Sequence, residues 1–203
     1  MDTVSTSLLC RLNPYCAQAL NAAAALCQTR AHAEITVEHW LLKLLEDGEG
    51  DITVIARRYE WDMHSLWQSL LTTIDRLPHS ISRRPRLSDG LCRLLQIAWL
   101  VASQEEGNES IRSVHLLQVL RGQPAWLSTH DSWPLMSLSV SQLQHLRPLL
   151  DRHSEERLEV QAAARLAGSC GDSAVAETPP DKPVQNSPAL SPALQGVLDK
   201  VSR

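Results

Sequence analysis

Apolar residues recur along the first third of the chain at steps of three and four, the period of a helix with one buried face. Cys16, Leu20, Ala23 and Cys27 make one such stripe. Asn13 offers an N-cap and Pro14 the favoured first helical position, which predicts a helix from there to about Arg30. Its centre, Ala22 to Ala25, is small enough to admit a second helix closely. Thr36 caps a helix over Val37 to Glu46 that Gly48 ends, Asp51 starts a short one to Arg58, and Asp62 caps another to about Leu77. Ser5 to Arg11 is read as a short amphipathic turn carrying Leu8 and Leu9.

The second half repeats this order. Ser88 caps a helix to about Glu106, Ser113 one through Leu120 and Ser139 one through Leu150, while Gly122 to Pro134 is less regular and weakly helical. Residue by residue, Leu12/Leu87, Leu20/Leu95, Ala23/Ala98 and Glu34/Glu109 lie 75 apart. After one extra residue, Ile35/Ile111, His39/His115, Leu41/Leu117 and Leu44/Leu120 lie 76 apart. A unit of this length exceeds the short solenoid periods. The pattern predicts an all-α fold without a sheet, in which two four-helix units bury their apolar faces against each other. Arg112 stands where the first copy has the cap Thr36, so the helix after it is expected to begin one residue late.

These signals divide the chain into an extra N-terminal helix (1–12), a first unit (13–77), a linker (78–86), a second unit (87–152) and a short helix (153–167). A disordered linker (168–191) follows, then the start of a further helix (192–203). Between Gly168 and Pro192 the five prolines, with Gly, Ser and Asp, leave too little apolar surface to offset ordering entropy. Pro192 then opens a helical spacing again, which implies a further module beyond it.

Charge and composition narrow the function classes. With 203 residues, 43% hydrophobic content, a formal charge of −4 and a pI near 6.0, the chain can fill one core and carries no basic excess for a phosphate backbone. Nucleic acid is therefore not an expected partner. Arg83, Arg84 and Arg86, the one tight basic cluster, read as solvated linker. No apolar run is long enough to span a bilayer and Met1 to Arg11 lacks the order of a signal peptide, so no membrane partner and a cytoplasmic location are expected.

Catalytic chemistry finds no foothold. Cys10, Cys16, Cys27, Cys92 and Cys170 show no C-x-x-C pair and no zinc-ligand spacing, and read as small apolar core residues. His39 and His115 hold one repeat position near a helix start without a second ligand at i+4, which argues a structural hydrogen bond rather than a metal site. Glu34 and Glu109 likewise read as a loop-to-helix contact, and the six tryptophans mostly as core, with Trp40, Trp67 and Trp99 partly surfacing. No nucleophile, base and orienting partner can be assembled, and no Gly-x-x-x-x-Gly-Lys-Ser/Thr loop is present. The chain is read as a non-enzyme that takes no cofactor, no metal and no ATP. A small cysteine or histidine enzyme is the alternative from another class.

The segment Ile35-Thr36-Val37-Glu38-His39-Trp40-Leu41-Leu42 resembles the I-T-x-E-H-L-L signature that occurs twice in the N-terminal domain of Hsp100 AAA+ unfoldases, the Clp N domain. In the second copy Val114 replaces the glutamate and Gln118 one leucine. The resemblance covers about Leu8 to Leu150, and Leu198-Asp199-Lys200 looks like the segment preceding the first ATPase ring module. Leu12 to Cys16, Arg30 to Glu34 and Arg57 to Asp62 are similar to the ClpV (TssH) branch of type VI secretion.

That resemblance implies two Clp N repeats plus an extra N-terminal helix lining a hydrophobic groove. The groove would take an amphipathic helix of the contractile sheath subunit VipB (TssC) for ATP-driven disassembly by absent AAA+ rings. It also implies a monomeric fragment of a protein that is hexameric through those rings. A ClpB- or ClpA-like domain taking unfolded chains or an adaptor is the second reading. The groove is expected with Leu8 and Leu9 as one wall, Cys16, Ala19, Leu20 and Ala23 as floor, and Leu87, Ser88 and Leu91 as the other wall. Binding there would follow shape and apolar area more than charge.

Overall fold

Side-chain caps set the helix starts as the spacing predicts. In the computed structural model, which describes residues 7–46, 48–79, 85–105, 110–127 and 133–157, α1 (Pro14–Thr29) opens where the Asn13 side chain accepts from the Cys16 N–H at 2.8 Å. Ser88 does the same at the start of α5 (Asp89–Ser103), accepting from the Leu91 N–H at 3.2 Å. Between them lie β1 (Glu34–Ile35), α2 (Val37–Glu46), α3 (Asp51–Arg58), α4 (Met63–Asp75), capped by Asp62, and β2 (Arg86–Leu87). After α5 come α6 (Ser113–Gly122), a 3-10 turn (Pro124–Trp126), α7 (Trp133–Ser137) and α8 (Val140–His153). Gly48, with φ of +70°, ends α2 in a conformation that favours glycine. α5 stops at Ser103, short of the expected Glu106, and α8 runs three residues past Leu150.

The helical class stands, but the expectation of no β pairing is corrected. β1 and β2 form a two-residue parallel ladder, Glu34 with Arg86 and Ile35 with Leu87, and Leu12 makes an isolated parallel bridge to Ile111. The repeat explains both pairings. Leu12 is the counterpart of Leu87 and Ile35 of Ile111, so each half extends its leading leucine to the isoleucine of the other. The Ser88 N–H donates to the Ile35 carbonyl and the Asn13 N–H to the Ile111 carbonyl, each at 3.0 Å. Backbone groups that would be buried without partners are thereby satisfied across the junction. The halves interlock further because α3, from the first, packs on α6 and α8 of the second.

One core runs through both halves, from Leu8 and Leu9 to Leu143 and Leu150. Cys16 and Cys27 lie in it, whereas Cys10 is exposed and Cys92 half-buried, a correction for those two cysteines. Cys10 sits on the outer side of the N-terminal turn, away from the buried Leu8 and Leu9. Trp40 is buried, its indole N–H donating to the Cys16 carbonyl, and Trp67 and Trp99 are half-buried. The Arg83 and Arg84 linker, Glu109, Cys170, positions 1–6 of the N-terminal helix and everything expected from 158 onward lie outside the described residues.

Past the expected end of the second unit at 152, Ser154 and Glu156 are fully buried. Glu156 is where three helix starts meet: Asn13 Nδ2 at 3.1 Å, the Asp51 N–H at 2.8 Å and the Ser113 N–H at 2.7 Å all donate to its carboxylate, joined by the Ser113 hydroxyl. Negative charge at helix N-termini is favourable. Beside it, Arg112 pairs with the buried Asp51 at 2.7 Å and with Asp151 at 2.6 Å. Ser113 therefore does not cap α6. The cap position belongs to Arg112, whose guanidinium has no acceptor and serves the carboxylates of Asp51 and Asp151 instead.

Candidate functional site

The four residues expected as the floor of the groove, Cys16, Ala19, Leu20 and Ala23, are 0% exposed. They are core, packed beneath α2, and offer nothing to a ligand as the chain stands. Leu91 is also fully buried. Leu8 and Leu9 point inward from the helical turn over residues 7–9, and Leu87 and Ser88 are half-buried. Apolar periodicity reports which face of a helix is buried, and these residues obey it too well to be a binding floor.

Among the described residues, the outer side of α5 exposes two large apolar side chains. Leu100 is 59% exposed and Ile97 36%, beside the half-buried Trp99. The N-terminal turn borders this face. The Arg11 guanidinium sits 4.8 Å above the Trp99 ring, a cation–π contact, and the Arg11 carbonyl accepts from the Ile111 N–H. An amphipathic helix laid along α5 would meet Trp99 and Leu100 with the N-terminal turn as a rim. Trp133, at 67%, is exposed on α7. The repeat held the signal for this surface: the first-half counterparts of Ile97 and Leu100 are Ala22 and Ala25. Two large apolar residues where the other copy keeps alanine mark a face with no core to fill.

Each repeated histidine makes the structural hydrogen bond that its position predicts. His39 Nδ1 accepts the Thr36 N–H at 3.2 Å and His115 Nδ1 the Arg112 N–H at 2.9 Å, so each fills the reciprocal half of a capping box. Beyond that they differ. His115 Nε2 meets Glu105 at 3.0 Å, with Arg147 paired to the same carboxylate. His39 Nε2 meets a second imidazole, His32 Nδ1, at 3.0 Å. Burial, with His32 and Arg30 nearby, holds His39 down to about 4, and burial lowers His115 as well. Glu34 contacts Arg86 at 3.0 Å across the β1–β2 ladder, a strand-to-strand contact in place of the loop-to-helix contact expected of it.

Residues 11–121 match the family described as "Clp repeat (R) N-terminal domain". The chain belongs to that family. Among solved structures, it is 60% identical to the "N-terminal domain (1-163) of ClpV1 ATPase from E.coli EAEC Sci1 T6SS", with a TM-score of 0.73, covering 75% of this chain and 93% of that one. A second, described as "Peptide from EAEC T6SS Sci1 SciI protein", matches at 60% identity and a TM-score of 0.72 over 74% of this chain and 96% of the other. The "AAA+ ATPase ClpV1" of Pseudomonas aeruginosa is 25% identical over 111 residues, 55% of this chain and 12% of that protein. The chain thus spans about an eighth of that curated relative. A Clp N-terminal domain is a substrate-binding module and not the ATP-hydrolysing part of such a protein. Among the described residues no helix is long and apolar enough to cross a membrane.

Proposed function

We propose that this Clp N-terminal domain receives sheath protein for a type VI secretion unfoldase of the ClpV type. One amphipathic helix of a VipB (TssC)-like sheath subunit would seat beside the N-terminal turn. The observation that carries this reading is the 60% identity to the ClpV1 N-terminal domain over 93% of its length, with a peptide from the SciI protein of the same secretion system named for the second match. That identity favours the ClpV reading over a ClpB- or ClpA-like domain for unfolded chains. ATP-driven pulling belongs to the ring modules of such an unfoldase, while this domain takes no nucleotide and works in the cytoplasm.

The seat supported by the geometry is the strip of α5 along Trp99 and Leu100, rimmed by the Leu8–Leu9 turn and Arg11, with Leu87 and Ser88 at its start. Each apolar anchor of the incoming helix buried there contributes roughly 1.5–3 kcal/mol before ordering costs. Calorimetric titration of a sheath N-terminal peptide against wild type and Leu100→Asp tests it. The variant alters an exposed position and leaves the core intact, so helical circular dichroism stays unchanged while affinity falls at least about tenfold, about 1.4 kcal/mol. Unchanged affinity would place the peptide elsewhere. No binding by wild type would sink the sheath reading itself.

A further inference from the structure

Cys27, His32 and His39 come from three different places: the last turn of α1, the loop after it, and the first turn of α2. Folding brings one ligand atom of each within 4.8 Å of the others, and all three residues are buried. We propose that they bind a borderline-soft divalent cation, zinc(II) by the chemistry of one thiolate and two imidazoles. Three protein ligands leave the fourth tetrahedral position for water or an outside ligand.

Three observations carry this. The two imidazoles aim ring nitrogens at each other, His32 Nδ1 to His39 Nε2 at 3.0 Å, close to the separation of about 3.3 Å that two nitrogens have around one tetrahedral zinc. Thr36 Oγ1 lies 2.9 Å from His39 Nδ1, where it can accept a hydrogen bond. Finally, the second half is an internal control: at the counterpart of His39, His115 meets a carboxylate, and the counterpart of Cys27 is Ala102. The capping role of this histidine therefore requires neither the thiol nor the second imidazole.

Loading balances with a single proton released. In the metal-free chain the Thr36 N–H donates to His39 Nδ1, so Nε2 carries the ring proton and donates to His32. When the cation takes Nε2, that proton moves to Nδ1, which gives up the Thr36 N–H and donates a hydrogen bond to the Thr36 hydroxyl instead, the kind of outer contact that orients a ligating imidazole. The Cys27 S–H, now directed at the His32 and Glu34 carbonyls, gives its proton to solvent and the sulfur binds as thiolate.

The test is titration of the reduced, chelator-treated 203-residue chain with zinc(II) against a chromophoric competitor, and with cobalt(II) as a spectroscopic probe. One zinc per chain at a Kd of about 10 µM or tighter, weakened at least about tenfold in Cys27→Ala, is expected. Cobalt(II) should give a thiolate-to-metal charge-transfer band in the near ultraviolet. Binding weaker than about 100 µM, or equal in wild type and a folded Cys27→Ala, overturns the proposal. Should that variant fail to fold, the wild-type cobalt spectrum decides alone, since absence of the thiolate band would overturn the site.

Discussion

The two halves carry the same helix order and the same capping histidine, yet their inner chemistry differs at nearly every polar position. In the first, Thr36 precedes α2 and His39 meets His32 beside Cys27. In the second, Arg112 takes the cap position and bonds Asp51 and Asp151, while His115 meets Glu105. The outer faces diverge as well, alanine on α1 against Ile97 and Leu100 on α5. What both keep is what closes the fold: the N-caps Asn13 and Ser88 and the crossed backbone pairings at Ile111 and Ile35. Duplication preserves the frame, and the halves are free to change wherever a side chain is not part of that closure.

The largest expected difference between the halves lies at this cap position. Arg112→Met removes the partner of Asp51, which is fully buried, and leaves a charge without compensation. Urea denaturation should show a loss of about 3–5 kcal/mol. Thr36→Ala, at the equivalent position, should lose only about 1 kcal/mol. Equal losses would mean that the two positions are interchangeable after all.

Next in size is a pH effect confined to the second half's tail. Burial, and then the charge of Asp51, push the Glu156 carboxyl up to about 7 from its ordinary value of 4.5, against the pull of its donors. Between those values the folded chain holds a proton that the unfolded chain has released. Stability from this group is therefore highest below about pH 4.5 and falls as pH rises to about 7, by about 3 kcal/mol in all. Comparing urea midpoints at about pH 5 and about pH 7.5 for wild type and Glu156→Gln isolates it. The glutamine variant should lack this falling component, and identical pH profiles would show that the donors keep Glu156 ionised throughout.

The smallest contrast concerns the outer faces. Leu100→Asp should cost sheath-peptide affinity at least about tenfold, about 1.4 kcal/mol, and its counterpart Ala25→Asp, which is also exposed, less than about twofold. Similar losses from both would put the peptide across the two halves rather than on α5.

Much of the helix pattern was legible because capping and amphipathic spacing are local. Asn13, Asp62, Ser88 and Ser139 cap where their spacing says they should. The groove was less so. Periodicity finds the face of a helix that is covered, so Cys16, Ala19, Leu20 and Ala23 were legible as a stripe but not as a stripe already occupied by the protein itself. Ile97 and Leu100 look like core by the same criterion, and only the alanines at the matching positions set them apart.

By itself the sequence determined the all-α class, most helix starts and the family signature at Ile35 to Leu42, since each depends on residues within a few turns of one another, and it showed the duplication because its two copies can be read against each other. The tertiary structure alone decided the rest. Glu156 gathers donors from Asn13, Asp51 and Ser113, separated by up to 143 positions. Cys27, His32 and His39 converge although steps of five and seven match no ligand motif. Convergence of this kind depends on how helix ends pack in space, and separation along the chain carries no record of it.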